Sequence, residues 1–407
     1  MEEKDKGIKK EIEKEIDIIW ENELKDKFVK LLDSNFQTIS NEVEKKLDMN
    51  AKEVAKNIEK LVNILKPVDI KTKMNRYCTN IIYENNTNYL VNLVLICLSN
   101  IEPLVFFCLN KNEILEKIRE KDNLFSLLKE LFNNVWLHKN NFNPNRLHNK
   151  LKQLNNQKYS SKDPGAIFYF ILSKLNDELQ FNKNINNNNN NNNINIYSKE
   201  EVFNYFKEMI ERNKTQISDI FFVNYQIKKT CRICEAESYF CEQKPIINLY
   251  IEQQVQNSVV KRGQFKDISL NENFNFLLND NIDIEEDCGI CECKQSFKVN
   301  NLIKGLNNNI LIINLDRVHD SLHERNVDIP KQLKLKLQNE TNFYEIIAVI
   351  NRNIPSKEEY NAYCKNFFDN KWYVYNNKNA KMENNENEIF NGHKALLLIY
   401  KKIINNN

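Results

Sequence analysis

Cys231-Arg232-Ile233-Cys234 is answered downstream by Cys288-Gly289-Ile290-Cys291, and the chain changes character around these two C-x-x-C pairs. Each spacing lets two thiolates of one hairpin turn approach a single ion, and four sulfurs close a tetrahedral shell. A shell closed in this way is a structural zinc site, because no coordination position remains for a reacting water. Cys241 and Cys293 lie near enough in sequence to substitute for a member of the set. Upstream of the pairs the sequence reads as helix. Leu90 to Leu98 is apolar on nearly every side, which suits a helix at the centre of a domain. Phe125, Leu127, Leu128, Leu131 and Phe132 mark a second helix, and Ile167 to Leu179 a third. Beyond residue 220 short strand-like runs take over, clearest at Ile310 to Leu315, Tyr344 to Ile350, Lys371 to Tyr375 and Ala395 to Tyr400. Helices first and strands later predict an α+β fold, not a wound parallel sheet.

Farther out, residues 1 to about 70 carry an amphipathic helical stripe. Ile8, Ile12, Ile16, Ile19, Trp20, Leu24, Phe28 and Leu31 recur at three- and four-residue steps among Lys and Glu. Val54, Ile58, Leu61, Val62 and Leu65 repeat it, and Lys66-Pro67 ends it. Two readings stay open: an arm that binds a partner, or an extension folded back on the main domain. The asparagine run Asn186 to Asn193 has nothing to bury and predicts a disordered insert over 182–196.

The composition narrows the function classes. Among 407 residues, 58 Lys+Arg against 56 Asp+Glu leave a net charge of +2, so no global field favours nucleic acid or an anionic membrane. Charged residues at 28% and hydrophobic ones at 41% fit a globular chain, and 6 Gly with 7 Pro exclude collagen-like or linker-dominated architectures. The best apolar stretch, Leu90 to Leu109, is broken by Asn92, Ser99, Asn100, Glu102 and Pro103, so no membrane span is expected. Met1-Glu2-Glu3-Lys4-Asp5-Lys6 has no apolar signal core, and the expected location is cytoplasmic or nuclear. In that setting the 10 cysteines are thiols or metal ligands, not a disulfide framework. Phosphate-cradling glycine loops, the H-E-x-x-H metal motif and the G-x-S-x-G serine elbow are all missing from the sequence. His319 and His323 are four apart but lie in a polar stretch after a strand, where surface histidines are expected.

The cysteine pairs sit inside an ordered series of boxes that resembles the ubiquitin-specific protease family of papain-like cysteine deubiquitinases. Glu84-Asn85-Asn86-Thr87-Asn88-Tyr89-Leu90-Val91-Asn92-Leu93 is similar to that family's N-x-G-N-T-C-Y-x-N-S box. Lys162-Asp163-Pro164-Gly165-Ala166-Ile167 is similar to its Q-D-A-x-E-F helix start, and Ile217-Ser218-Asp219-Ile220-Phe221 to the entry of its zinc fingers. Asn309 to Val318 resembles the strand that ends in L-x-R-F. Glu359-Tyr360-Asn361-Ala362-Tyr363 and Trp372-Tyr373-Val374-Tyr375-Asn376-Asn377 stand where the family has G-H-Y-x-A-Y and W-x-x-F-D-D. The resemblance implies a hand-shaped fold over 76–404, preceded by the helical extension 1–75. A helical thumb would occupy about 76–219, zinc-tipped β fingers about 220–305 and a β palm about 306–404.

The same alignment implies that the family's chemistry is lost. The nucleophile position falls on Asn88 or Tyr89, and neither is a thiol. Glu359 takes the place of the histidine base, and Asn376 the orienting position, with nothing to orient. The oxyanion position falls on Tyr83 or Glu84, and a carboxylate there would repel developing negative charge. No triad residue is then intact, although Cys78 or Cys97 as a substitute thiol leaves an active, rearranged deubiquitinase as the alternative. The implied function is binding of ubiquitin, a ubiquitin-like protein or an assembly partner reached through the N-terminal helices. Asp163, Glu358 and Tyr360 are the candidate contacts for an arginine-containing ubiquitin tail.

Overall fold

The run that begins at Tyr89 forms α1 (Tyr89–Ser99), buried from Leu90 to Ser99. Ser99 Oγ returns to the Leu95 carbonyl and Asn100 Nδ2 to that of Ile96, closing the helix end. Pro103 then sits in the first turn of α2 (Glu102–Asn110), where its missing N–H costs nothing. The computed structural model of the chain describes residues 89–110, 123–137, 144–155, 162–180, 199–251, 268–271, 274, 282–288, 291, 294–305, 308–317, 326–337, 340–354, 359–376 and 380–403. All of them belong to one unit, Lys73–Ile403. The expected helical extension 1–75, the Asn-rich insert, Cys78, Asn88, Cys293, His319, His323 and Glu358 lie outside the described residues. Among those described, no single helix is long and apolar enough to cross a membrane. α1 and α2 reach that composition only together, and they bend by 80° at their junction.

Three further helices pack around this pair. α3 (Leu124–Trp136) buries Phe125, Leu128, Phe132 and Trp136, and Asn123 caps it by accepting from Ser126 N at 2.7 Å. Both carboxylate oxygens of Glu178 also face the α3 N-terminus, accepting from Leu124 N at 2.9 Å and Phe125 N at 3.0 Å. A carboxylate at that end satisfies orphan donors and meets the positive end of the helix dipole. α4 (Asn145–Leu154) shows only Leu147, His148 and Leu151 to the interior. Glu178 itself belongs to α5 (Pro164–Leu179), which starts on the cap Asp163 with proline at its first position. α6 (Lys199–Arg212) and α7 (Gln216–Phe221) follow, the latter opened by a Thr215–Ser218 capping box.

The strands are β1 (Val223–Cys231), β2 (Glu237–Lys244), β3 (Ile247–Tyr250), β4 (Ile268–Ser269), β5 (Ile282–Asp287), β6 (Lys294–Gly305) and β7 (Ile310–Asp316). They continue with β8 (Val327–Asp328), β9 (Gln332–Leu337), β10 (Glu340–Ile354), β11 (Glu359–Lys365), β12 (Trp372–Tyr375), β13 (Ala380–Met382) and, after a short α8 (Glu386–Ile389), β14 (Ala395–Lys402). Among the described residues they form a four-stranded sheet, β2-β1-β6-β5, a larger one, β13-β12-β11-β10-β14-β7-β3, with β9 paired to β10, and a two-stranded parallel pair, β4-β8. The segment 220–305 therefore contributes to both sheets, since β3 leaves the finger-like sheet and runs parallel to β7. β7 is buried from Ile310 to Leu315 and apolar there except at Asn314, as suits a strand flanked on both edges and covered on its faces. Arg317, just past β7, is buried and donates to the carbonyls of Ala395 and Gly392, tying β7 to the turn before β14. Burial lowers its guanidinium to about 10.

The helices meet the large sheet across an aromatic cluster. After β11 the turn Asn366–Asn370 carries Phe367 and Phe368 against Trp136 of α3, with ring centroids 4.5 and 5.5 Å away. Phe106 of α2 meets Phe367 at 6.0 Å, and Asn370 takes the positive φ of 57° that closes the turn.

Candidate functional site

Tyr89 begins α1, half-buried, and its side chain crosses to the large sheet, where its hydroxyl donates to the Tyr360 carbonyl on β11. Tyr360 is buried, and its own hydroxyl reaches the Lys162 carbonyl, 3.5 Å away, at the entry of α5. Next in the chain, Asp163 accepts from Gly165 N at 2.8 Å. In the amide orientation that gives its nitrogen acceptors, Asn314 of β7 donates to Asp163 and to the Leu396 carbonyl, each at 3.3 Å. Gly165 makes this approach possible: a Cβ there would lie 2.4 Å from the Asn314 side chain. Glu359, exposed, opens β11 opposite Ile354 of β10. Asn376 lies one residue past the Ala362–Tyr375 pair, toward the Glu359 end of β11.

Tyr89, Asp163, Glu359, Tyr360 and Asn376 thus come from α1, the α5 cap, β11 and the end of β12 to one junction. Asn314 was not legible as part of it, since it reads as one polar residue in an apolar strand run; that interruption is the signal that marks it. A second unanticipated polar pair lies behind α1. His148 of α4 is buried with its ring Nε2 2.7 Å from Asn92 Oδ1. With that oxygen as acceptor, Nε2 carries the proton. Desolvation, aided by the positive charge of Lys152, pulls the imidazole down to about 4. Cys97, farther along α1, is fully buried.

At the far end of the four-stranded sheet the two cysteine pairs meet. Cys231 ends β1 and Cys234 closes the turn into β2, with Glu235 at φ 56° and Cys231 N–H bonded to the Ala236 carbonyl at 2.9 Å. Cys288 and Cys291 occupy the turn between β5 and β6. The β1–β6 pairing, Cys231 opposite Phe297, brings the turns together. The four sulfurs lie within 4.8 Å of one another, with Cys231···Cys291 at 3.8 Å and Cys234···Cys288 at 3.7 Å. A tetrahedral shell with Zn–S bonds of about 2.3 Å has edges of about 3.8 Å, so the donor set and its spacing fit a zinc ion. Backbone N–H groups of Cys234 and Ile233 lower the Cys231 thiol, favouring the thiolate such an ion needs. Cys241 does not join them. It is buried on β2 against Tyr205, Phe206 and Met209 of α6, where desolvation raises its thiol to about 11, so it does not replace a ligand of the set.

Residues 81–400 match the family model described as ubiquitin carboxyl-terminal hydrolase. No curated protein sequence matches the chain. Among solved structures, a chain of the yeast SAGA DUB module carrying an Sgf73 mutant superposes with a TM-score of 0.58 at 15% identity, covering 86% of this chain and 75% of that one. The SAGA DUB module Ubp8/Sgf11/Sus1/Sgf73 bound to monoubiquitin gives 0.58 at 17% identity with the same coverage. The module bound to ubiquitin aldehyde gives 0.57 at 16%, again over 86% and 75%. At these identities the likeness is one of fold.

Proposed function

The chain belongs to the ubiquitin carboxyl-terminal hydrolase family, and from that premise we propose that it acts in the cytoplasm or nucleus by binding ubiquitin or a ubiquitin-like protein, without cleaving it. Its fold is the α+β, papain-like fold of that family. The observation that carries the reading is Tyr89 at the first position of α1, with its hydroxyl committed to the Tyr360 carbonyl. A helix N-terminus makes a thiol reactive by favouring its thiolate. A phenol, with an ordinary pKa of about 10, gains no comparable nucleophilicity at neutral pH. Glu359 offers no imidazole, and His148, buried against Asn92 and titrating at about 4, is too weak a base at neutral pH. Cys97 is shielded from any substrate.

What the junction keeps is acceptors. Asp163 and Glu359 present exposed carboxylates, suited to an arginine-containing tail. A structural zinc at Cys231, Cys234, Cys288 and Cys291 belongs to the same proposal, since an ion there fixes the tip of the four-stranded sheet. Partners of a larger assembly are proposed by analogy with the modules in which the structural neighbours are found.

The test is a titration of the purified protein with ubiquitin, beside a fluorogenic ubiquitin hydrolysis assay. Saturable binding with no turnover is the expected result. Turnover abolished by Cys78→Ala would overturn it in favour of the active, rearranged enzyme. Absence of binding to ubiquitin and its relatives would leave only a scaffold.

A further inference from the structure

Cys97 of α1 and Cys364 of β11 are both fully buried, with sulfurs 3.8 Å apart. The finger cysteines show the same spacing for a different reason. There four sulfurs converge, whereas among the described residues no third metal-ligating group joins Cys97 and Cys364. Two thiols in contact without a metal shell can be joined covalently: a disulfide of about 2.05 Å needs the sulfurs to approach by roughly 1.8 Å.

The pair's place in the fold gives it a consequence. Tyr89 and Cys97 are separated by about 12 Å of helix rise, and Tyr360 and Cys364 by about 13 Å of extended chain. The two lengths match, so α1 and β11 run side by side in the same direction. They touch at one end through the Tyr89 hydroxyl and the Tyr360 carbonyl, and at the other through the two sulfurs. A bond at the inner end would fix the register in which Tyr89 meets Tyr360.

We propose that Cys97 and Cys364 form a reversible redox pair whose disulfide locks α1 onto β11. A low-molecular-weight disulfide such as glutathione disulfide is the oxidant. One protein thiolate attacks a glutathione sulfur and expels one glutathione thiol; the second protein thiolate then displaces the other. The protein loses two protons and two electrons, and glutathione disulfide takes them up to become two glutathiones. Because both cysteines are buried, the reaction passes through transient separation of α1 from β11, and is slow.

The zinc-loaded full-length protein is equilibrated in glutathione buffers of graded potential, alkylated, digested without reduction and mapped by mass spectrometry. A peptide pair linked through Cys97 and Cys364 is expected under oxidising conditions and is lost on adding dithiothreitol. Hydrogen exchange across Tyr89–Ser99 and Glu359–Lys365 should slow several-fold in the oxidised protein, and should be unmoved by the same buffers in Cys364→Ala. Free alkylated Cys97 and Cys364 at every potential would overturn the proposal. So would a linked pair that leaves exchange in α1 and β11 unchanged. Mapping the unmodified chain decides the first point even if the variant does not fold.

Discussion

Asp163 caps α5 and also faces the junction where Tyr89 meets Tyr360, so two roles must be separated at one residue. Asp163→Ala removes an N-cap and should cost about 0.5–2 kcal/mol of stability whatever binds. Asp163→Asn keeps a capping oxygen and deletes only the charge. It should melt close to the parent yet bind ubiquitin about 1–3 kcal/mol more weakly, the scale of a charged hydrogen bond. Paired melting and titration curves for the two variants check this; equal affinities for parent and Asp163→Asn would exclude the carboxylate as a contact. His148 sets a pH dependence. Its folded value lies near 4 against 6.5 when unperturbed, so the unfolded chain takes up its proton first as pH falls. Its contribution is fully present above about pH 6.5 and is lost on the way down to about 4, by roughly 3 kcal/mol in all. Urea midpoints recorded between those pH values should show the slope, and His148→Gln should flatten it.

At the scale of elements, the large sheet is held by close approaches that leave no room for a side chain. A Cβ on Gly392 would lie 2.0 Å from the Val327 carbonyl oxygen, and that oxygen is backbone, not a flexible tip. Gly392→Ala must push the turn before β14 away from β8, weakening the Val327 N–H to Gly392 carbonyl bond and the Arg317 clasp on the same turn. Destabilisation of about 1–3 kcal/mol, the usual cost of overpacking, is expected in denaturant titrations. The cysteine turns behave differently, because their order depends on an ion. Metal analysis should find about one zinc per chain. Cys231→Ser should release it and raise exchange through β1, β2, β5 and β6, while α1 and β7 stay protected. Retention of the metal in that variant would point to another ligand set.

For the molecule as a whole, the decisive expectation is absence of hydrolysis toward ubiquitin chains. Nucleophile, base and oxyanion donor act as a unit; losing one oxyanion donor costs about 100- to 1000-fold, and losing the others costs far more. Tyr89→Cys alone should therefore recover almost nothing, and adding Glu359→His should restore traces at most, read as fluorogenic ubiquitin turnover. Much of the architecture was legible beforehand. The helices over Leu90 to Leu98, Phe125 to Phe132 and Ile167 to Leu179, and the strands over Ile310 to Leu315, Tyr344 to Ile350, Lys371 to Tyr375 and Ala395 to Tyr400, all appear with small shifts at their ends. α4 and α6 fall inside the span expected to be helical, 76–219, but neither stands out as a separate helix in the sequence. Each shows a narrow apolar face in a polar sequence, and such helices take their stability from the surface they pack on.

Residue order alone specifies the succession of helices and strands, the two C-x-x-C pairs and the absence of a thiol at Asn88 and Tyr89. Those depend on local periodicity, on short fixed spacings and on residue identity. Folding in three dimensions is what makes Tyr89, Asp163 and Tyr360 meet, sets α5 against β7 through Asn314 and Gly165, closes the four cysteines into one site without Cys241, and lays Cys97 beside Cys364. Each of these contacts joins residues far apart in the chain. Their proximity is set by which faces of α1, α5 and the large sheet exclude water together, and no local pattern encodes it.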